Sequence, residues 1–130
     1  MTTPAPKLTA VTLGVRDVPA SARFYEALGF KRKFRSTGDE IAFFDAGGMV
    51  LALWDWAKLA EDSVVSSQPR PQTFRGATFA WNCETPAEVD LVFAKAIASA
   101  SDPIVVRAIL TSRLAVGFTF FLYFSIAFGT

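Results

Sequence analysis

Residues 9–30 read TAVTLGVRDVPASARFYEALGF, and a change of period inside them decides the fold. Up to Val15 the chain alternates, with Val11, Leu13 and Val15 on one face and Ala10, Thr12 and Gly14 on the other, which predicts a strand with one small-residue face. Asp17 supplies a helix-start side chain, and Pro19 suits a first helical turn, where a backbone N–H has no partner to lose. Ala22, Tyr25 and Leu28, with Phe24 beside them, then recur at helical spacing until Gly29 marks a stop. The stretch is a strand followed by a helix.

Working outward, KRKFR (31–35), IAFFDA (41–46) and MVLALW (49–54) are separated by STGD and by Gly47-Gly48, which predicts three short strands in a meander. DWAKLAED (55–62) can form one or two helical turns, and SVVSSQPRPQTF (63–74) has the Ser, Pro and Gln content of a connector. GATFAWN then restarts as a strand and ETPAEVDLVFAKAIAS as a helix. Thr85 and Glu88 can form a capping box, Pro86 suits the first turn, and Val89, Val92, Phe93, Ala96 and Ile97 make a buried stripe. Pro19-Ala20 recurs as Pro86-Ala87, each after a strand and an acidic residue, a weak internal repeat. The expected organisation is one domain over 1–130, with a β-α-β-β-β module at about 8–55, a connector at about 56–74 and a second module at about 75–130.

The end of the chain, RLAVGFTFFLYFSIAFGT, has no charge after Arg113. A membrane helix needs about 20 consecutive apolar residues, and this run is shorter and contains two glycines. Val116, Phe118, Phe120, Leu122, Phe124, Ile126 and Phe128 fall on one parity, which argues for strand structure with its large face against the helices, and against membrane contact.

Thirteen basic and twelve acidic residues give a net charge of +1 with no basic concentration, so a nucleic-acid partner is not expected. Cys83 is the only cysteine, which excludes an intramolecular disulfide. The opening MTTPAPKLTAV lacks the apolar run of a signal peptide, and together these features predict a cytoplasmic protein. The sequence contains no histidine. That removes the commonest metal ligand and the commonest general base at neutral pH.

VTLGVRDVPASARFYEALGF, FFDAGGMVLALW and GATFAWNCETPAEVDLVFAKAIA together resemble the vicinal oxygen chelate superfamily, which includes glyoxalase I, bleomycin-resistance proteins and extradiol dioxygenases. The resemblance covers about residues 8–100 and is lost in the last thirty. It implies an α+β fold in which paired β-α-β-β-β modules curl a sheet around a cavity, with a second module that is atypical at its C-terminal end, and assembly as a homodimer. In metal-using members it implies ligands of the His, Gln or Glu type at positions that fall on or near Ala10, near Ala52 and at Gly76 or Ala77, with a Glu near the end of the chain. None of the first three can bind a metal through its side chain, and no acidic residue follows Asp102. No metal and no cofactor are therefore expected, and whether the chain is an enzyme stays open.

If ligand-position parity holds, the cavity face includes Thr12, Gly14, Trp54, Thr78 and Asn82, which are substrate-binding groups; no residue is marked as catalytic. Trp54, Trp56 and Trp81 can line an aromatic pocket or pack the module interface. Asp17 and Glu84 read as helix-start residues, Asp45 and Glu40 as turn charges, and Cys83 as a structural cysteine. The expected function is metal-free binding of a small hydrophobic or aromatic compound. The alternatives are a metal-dependent lyase, isomerase or dioxygenase with an unusual ligand set, and a divergent inactive member with a hydrophobic assembly tail.

Overall fold

The computed structural model describes residues 2–35, 38–63, 79–99, 105–109 and 120–125. The expected connector from Val64 onward, Thr78, the position at Gly76 or Ala77 and most of the apolar end lie outside these residues. The chain divides into two compact units, Met1–Pro69 and Arg70–Thr130.

The first unit runs β1 (Ala10–Val15), α1 (Val18–Ala27), β2 (Lys31–Lys33), β3 (Ile41–Asp45), β4 (Val50–Asp55) and α2 (Trp56–Asp62). The β-α-β-β-β order read from the sequence is present, and the helical turns expected after Trp54 form a helix of two turns. Its sheet has the order β1-β4-β3-β2, with β1 parallel to β4 and the remaining pairs antiparallel. The start of α1 is fixed by Asp17, whose Oδ1 accepts from the Ala20 N–H at 2.9 Å. Its end is a left-handed Gly29 (φ 101°), after which the Phe30 N–H reaches back to the Tyr25 carbonyl at 3.1 Å.

Alternation sorts the sheet into two faces. One carries Val15, Ala42, Phe44, Leu51 and Leu53, all buried, with Phe44 and Leu53 wholly so. Ala22, Phe24, Tyr25 and Leu28 from α1 and its end are buried as well, and Tyr25 meets Phe44 at a ring-centroid distance of 6.0 Å. Burial of each large side chain here contributes about 1.5–3 kcal/mol. This is the core of the unit. The other face carries Thr12 and Gly14 on β1, Ala52 and Trp54 on β4, and Ile41 and Phe43 on β3, in direct register.

The second unit contains β5 (Phe79–Cys83), α3 (Pro86–Ser99), β6 (Val105–Ile109) and β7 (Phe120–Ser125). The capping box at Thr85 and Glu88 is formed: the Glu88 N–H donates to Thr85 Oγ1 at 3.2 Å, and Glu88 Oε2 accepts from the backbone of Glu84 and Thr85. Of the expected stripe, Val89 and Ala96 are buried and Val92 and Phe93 half-buried, whereas Ile97 is exposed. The stripe is thus narrower than its spacing predicts.

The atypical second module takes a specific form. Among the described residues its sheet has the order β5-β7-β6, with both pairs antiparallel. In the first unit the strand beside β1 is the parallel β4; here the strand beside β5 is the antiparallel β7. The apolar end of the chain does contribute a strand, FFLYFS, and it takes the central position, where both strand edges are hydrogen-bonded. β6 falls where no local pattern marks a strand, although the second β-α-β-β-β module implies strands after its helix.

Candidate functional site: the sheet face opposite α1

The face of the first unit turned away from α1 gathers most of the candidate residues. Thr12 is exposed on β1 and pairs with Ala52; Trp54, half-buried on β4, pairs with Gly14 and with Ile41. Ala10 is two residues before Thr12 on the same face, so Ala10 and Ala52 are diagonal neighbours on adjacent parallel strands. Phe43 pairs with Ala52 from the other side and with Lys33 of β2. Strand register brings Phe43 and Trp54 to one face, whereas local spacing marks only the tryptophan.

Gly14 is buried, and the reason is α2. A Cβ built there would lie 2.8 Å from Trp56 Cε3 and 3.3 Å from Leu59 Cδ2, so the helix closes directly on the glycine. Asp55 directs the chain into that helix by accepting from the Ala57 and Lys58 N–H groups at 3.0 and 3.1 Å. Gly14 therefore touches Trp56, and Trp56 packs against the sheet. The remaining candidate, Asn82, is exposed on β5 in the second unit, between half-buried Trp81 and buried Cys83.

Charge on this face is concentrated at β2 and the β3–β4 hairpin. Lys31 and Lys33 pair in register with Asp45 and Phe43, and Lys33 Nζ lies 3.5 Å from Asp45 Oδ2. Asp45 Oδ1 also accepts from the Gly47 N–H at 3.0 Å. That backbone hydrogen bond first, and the lysines second, hold its carboxyl below the usual range. Its role is to tie the hairpin together, as a turn charge does. Asp17 and Glu84 likewise belong to helix starts. Burial, and then the Glu88 carboxylate, push the Cys83 thiol up, so a ready thiolate is not stabilised there.

The model of the Glyoxalase/Bleomycin resistance protein/Dioxygenase superfamily matches residues 7–101. The chain belongs to this superfamily. A glyoxalase-related enzyme from Fulvimarina pelagi is 32% identical, with a TM-score of 0.62 over 81% of this chain and 73% of that one. A hypothetical protein from S. aureus aligns with a TM-score of 0.65 at 21% identity, over 93% and 86% of the two chains. A lactoylglutathione lyase from Agrobacterium tumefaciens aligns with a TM-score of 0.54 at 19% identity, over 82% and 79%; these last two show the fold alone. No curated protein matches the sequence.

The metal that superfamily resemblance implies can be tested against the side chains. Ala10 and Ala52 offer two methyl groups where ligands are implied, and a methyl group donates no electron pair. Among the described residues no three His, Cys, Asp or Glu side chains converge. The residues at these positions do not fit a divalent ion. Among the described residues, too, no helix is long and apolar enough to cross a membrane.

Proposed function

We propose that this superfamily member binds a small hydrophobic or aromatic compound without a metal, and that the face opposite α1 is its binding surface in the first unit. The observation that carries the reading is that Ala10 and Ala52 lie as diagonal neighbours on one face, with Phe43 and Trp54 on the same face. Apolar contact with a few polar groups at the edge is sufficient for capture, whereas lyase or dioxygenase chemistry of the metal-dependent kind needs donors at those same positions. Thr12 and Trp54 are the contacts in this unit, with Gly14 seating α2 at the end of the face; Thr78 and Asn82 are the binding groups assigned to the second module. The protein acts in the cytoplasm as a homodimer.

One observation favours an enzymatic alternative: the relative of 32% identity is described as a glyoxalase-related enzyme. A metal-dependent lyase, isomerase or dioxygenase would then need a ligand set of its own. Elemental analysis of protein purified without an affinity tag separates the two readings. A stoichiometric divalent ion whose removal abolishes activity would sink the metal-free reading; ligand binding that is indifferent to a chelator supports it. Sedimentation of the full-length chain tests the homodimer.

A further inference from the structure

Phe34 is held in an unfavourable conformation while its ring stays in solvent. Its φ is 51°, and among the described residues no other non-glycine has a positive φ. A bulky side chain rarely adopts that region, and such strain persists only where the surroundings over-determine it. Here they do. Arg32 Nη2 donates to the Gly38 carbonyl at 2.9 Å across the turn, and Arg35 Nη2 donates to Glu26 Oε1 of α1 at 2.9 Å, so an anchor stands on each side of Phe34.

Burial does not explain the arrangement, because Phe34 is 64% exposed. What the backbone achieves is placement of the ring edge-on to Phe43, with centroids 5.8 Å apart and planes at 88°. Phe43 belongs to the face opposite α1, beside Ala52 and diagonal to Trp54. Phe34 therefore raises an aromatic wall at the β2 edge of that face. Over residues 31–45, four basic residues (Lys31, Arg32, Lys33 and Arg35) stand against three acidic ones (Asp39, Glu40 and Asp45), which leaves one net positive charge along this edge, with Lys31 and Lys33 on the same face as Phe43.

We propose that Phe34 is a ligand-contacting residue, and that the compound taken by this face is a planar aromatic anion whose ring lies against Phe34 and Phe43 with its acidic group toward Lys31 and Lys33. The inference rests on the reading of this face as the binding surface, and the two can fail separately. A fixed wall of this kind needs no ordering on binding, which favours retention of the strained turn.

Two fluorescent probes that share an aromatic body test it: anilinonaphthalene sulfonate, which is anionic, and N-phenylnaphthylamine, which is neutral. Titration of the full-length protein at low salt should show tighter binding of the sulfonate. Phe34→Ala should weaken sulfonate binding about fivefold or more, and Lys33→Met should erase the preference over the neutral probe. Phe34→Gly, which relieves the backbone, should raise the urea midpoint while losing the same affinity, so weakened binding cannot be ascribed to unfolding. If Trp54→Ala removes binding and Phe34→Ala leaves it unchanged, Phe34 has no such role although the face reading stands. If neither variant changes binding, both are wrong, and equal affinity for the two probes overturns the anionic class.

Discussion

Substitution of Gly14 by alanine gives the sharpest test of how α2 sits on the sheet. Carbon atoms in contact lie about 3.5–4.0 Å apart; a Cβ at Gly14 would be 2.8 Å from Trp56 Cε3, with the Trp56 Cα at 3.4 Å. The ring has little room to swing aside, because Leu59 Cδ2 at 3.3 Å and the Trp56 Cα at 3.4 Å also border the new methyl group. Overpacking of this kind costs about 1–3 kcal/mol, and the reduced freedom of the unfolded chain offsets about 0.4–1 kcal/mol of it. A net loss of up to about 2.5 kcal/mol is expected, near 1 kcal/mol at the middle of these ranges. Urea unfolding followed by tryptophan fluorescence and circular dichroism reads it as a lower midpoint at unchanged slope. The same substitution in a Trp56→Ala background should be neutral or stabilising, a coupling of about 1 kcal/mol or more. Stabilisation by Gly14→Ala alone, or the same loss in both backgrounds, would refute the packing of Trp56 on Gly14.

Leu53 is wholly buried beneath α1, so Leu53→Ala should destabilise the protein by about 2–5 kcal/mol in the same unfolding assay. Thr85→Ala removes the oxygen that caps α3 and should cost about 0.5–2 kcal/mol, measured as a lower urea midpoint and weaker amide protection in the first turn. The Cys83 thiol, raised by burial and by Glu88, should react with iodoacetamide more slowly in the folded protein than in urea at pH 8, and Glu88→Gln should speed the folded reaction. Because the folded thiol titrates higher than the unfolded one, its contribution to stability is fully present below about pH 8.5 and is lost as the pH rises through the folded value. Stability that climbs through this window in a comparison of the wild type with Cys83→Ala would contradict that sign.

Much of the first unit was legible in residues 9–55 because its signals are local. The period-two run of β1, the Asp17 cap, the Gly29 stop and the Gly47-Gly48 hairpin each depend on residues a few positions apart. The capping box of Thr85 and Glu88 was legible for the same reason. The candidate site was only partly so. Parity placed Thr12 and Trp54 on one face, but not Phe43, since IAFFDA puts two phenylalanines side by side and only pairing with β4 shows which one points away from α1.

The sequence by itself determined the element types of the first module, the membership that residues 7–101 carry, and the replacement of implied metal donors by alanine, since identity and short-range spacing are sufficient for each. Tertiary structure decided that α2 closes on Gly14, that β7 pairs antiparallel with β5 in the central place, and that Phe34 turns its ring to Phe43 through a positive φ. These depend on which distant segments compete for one strand edge or one sheet face. That competition is settled by packing and by hydrogen-bond pairing across the whole unit, which no local pattern records.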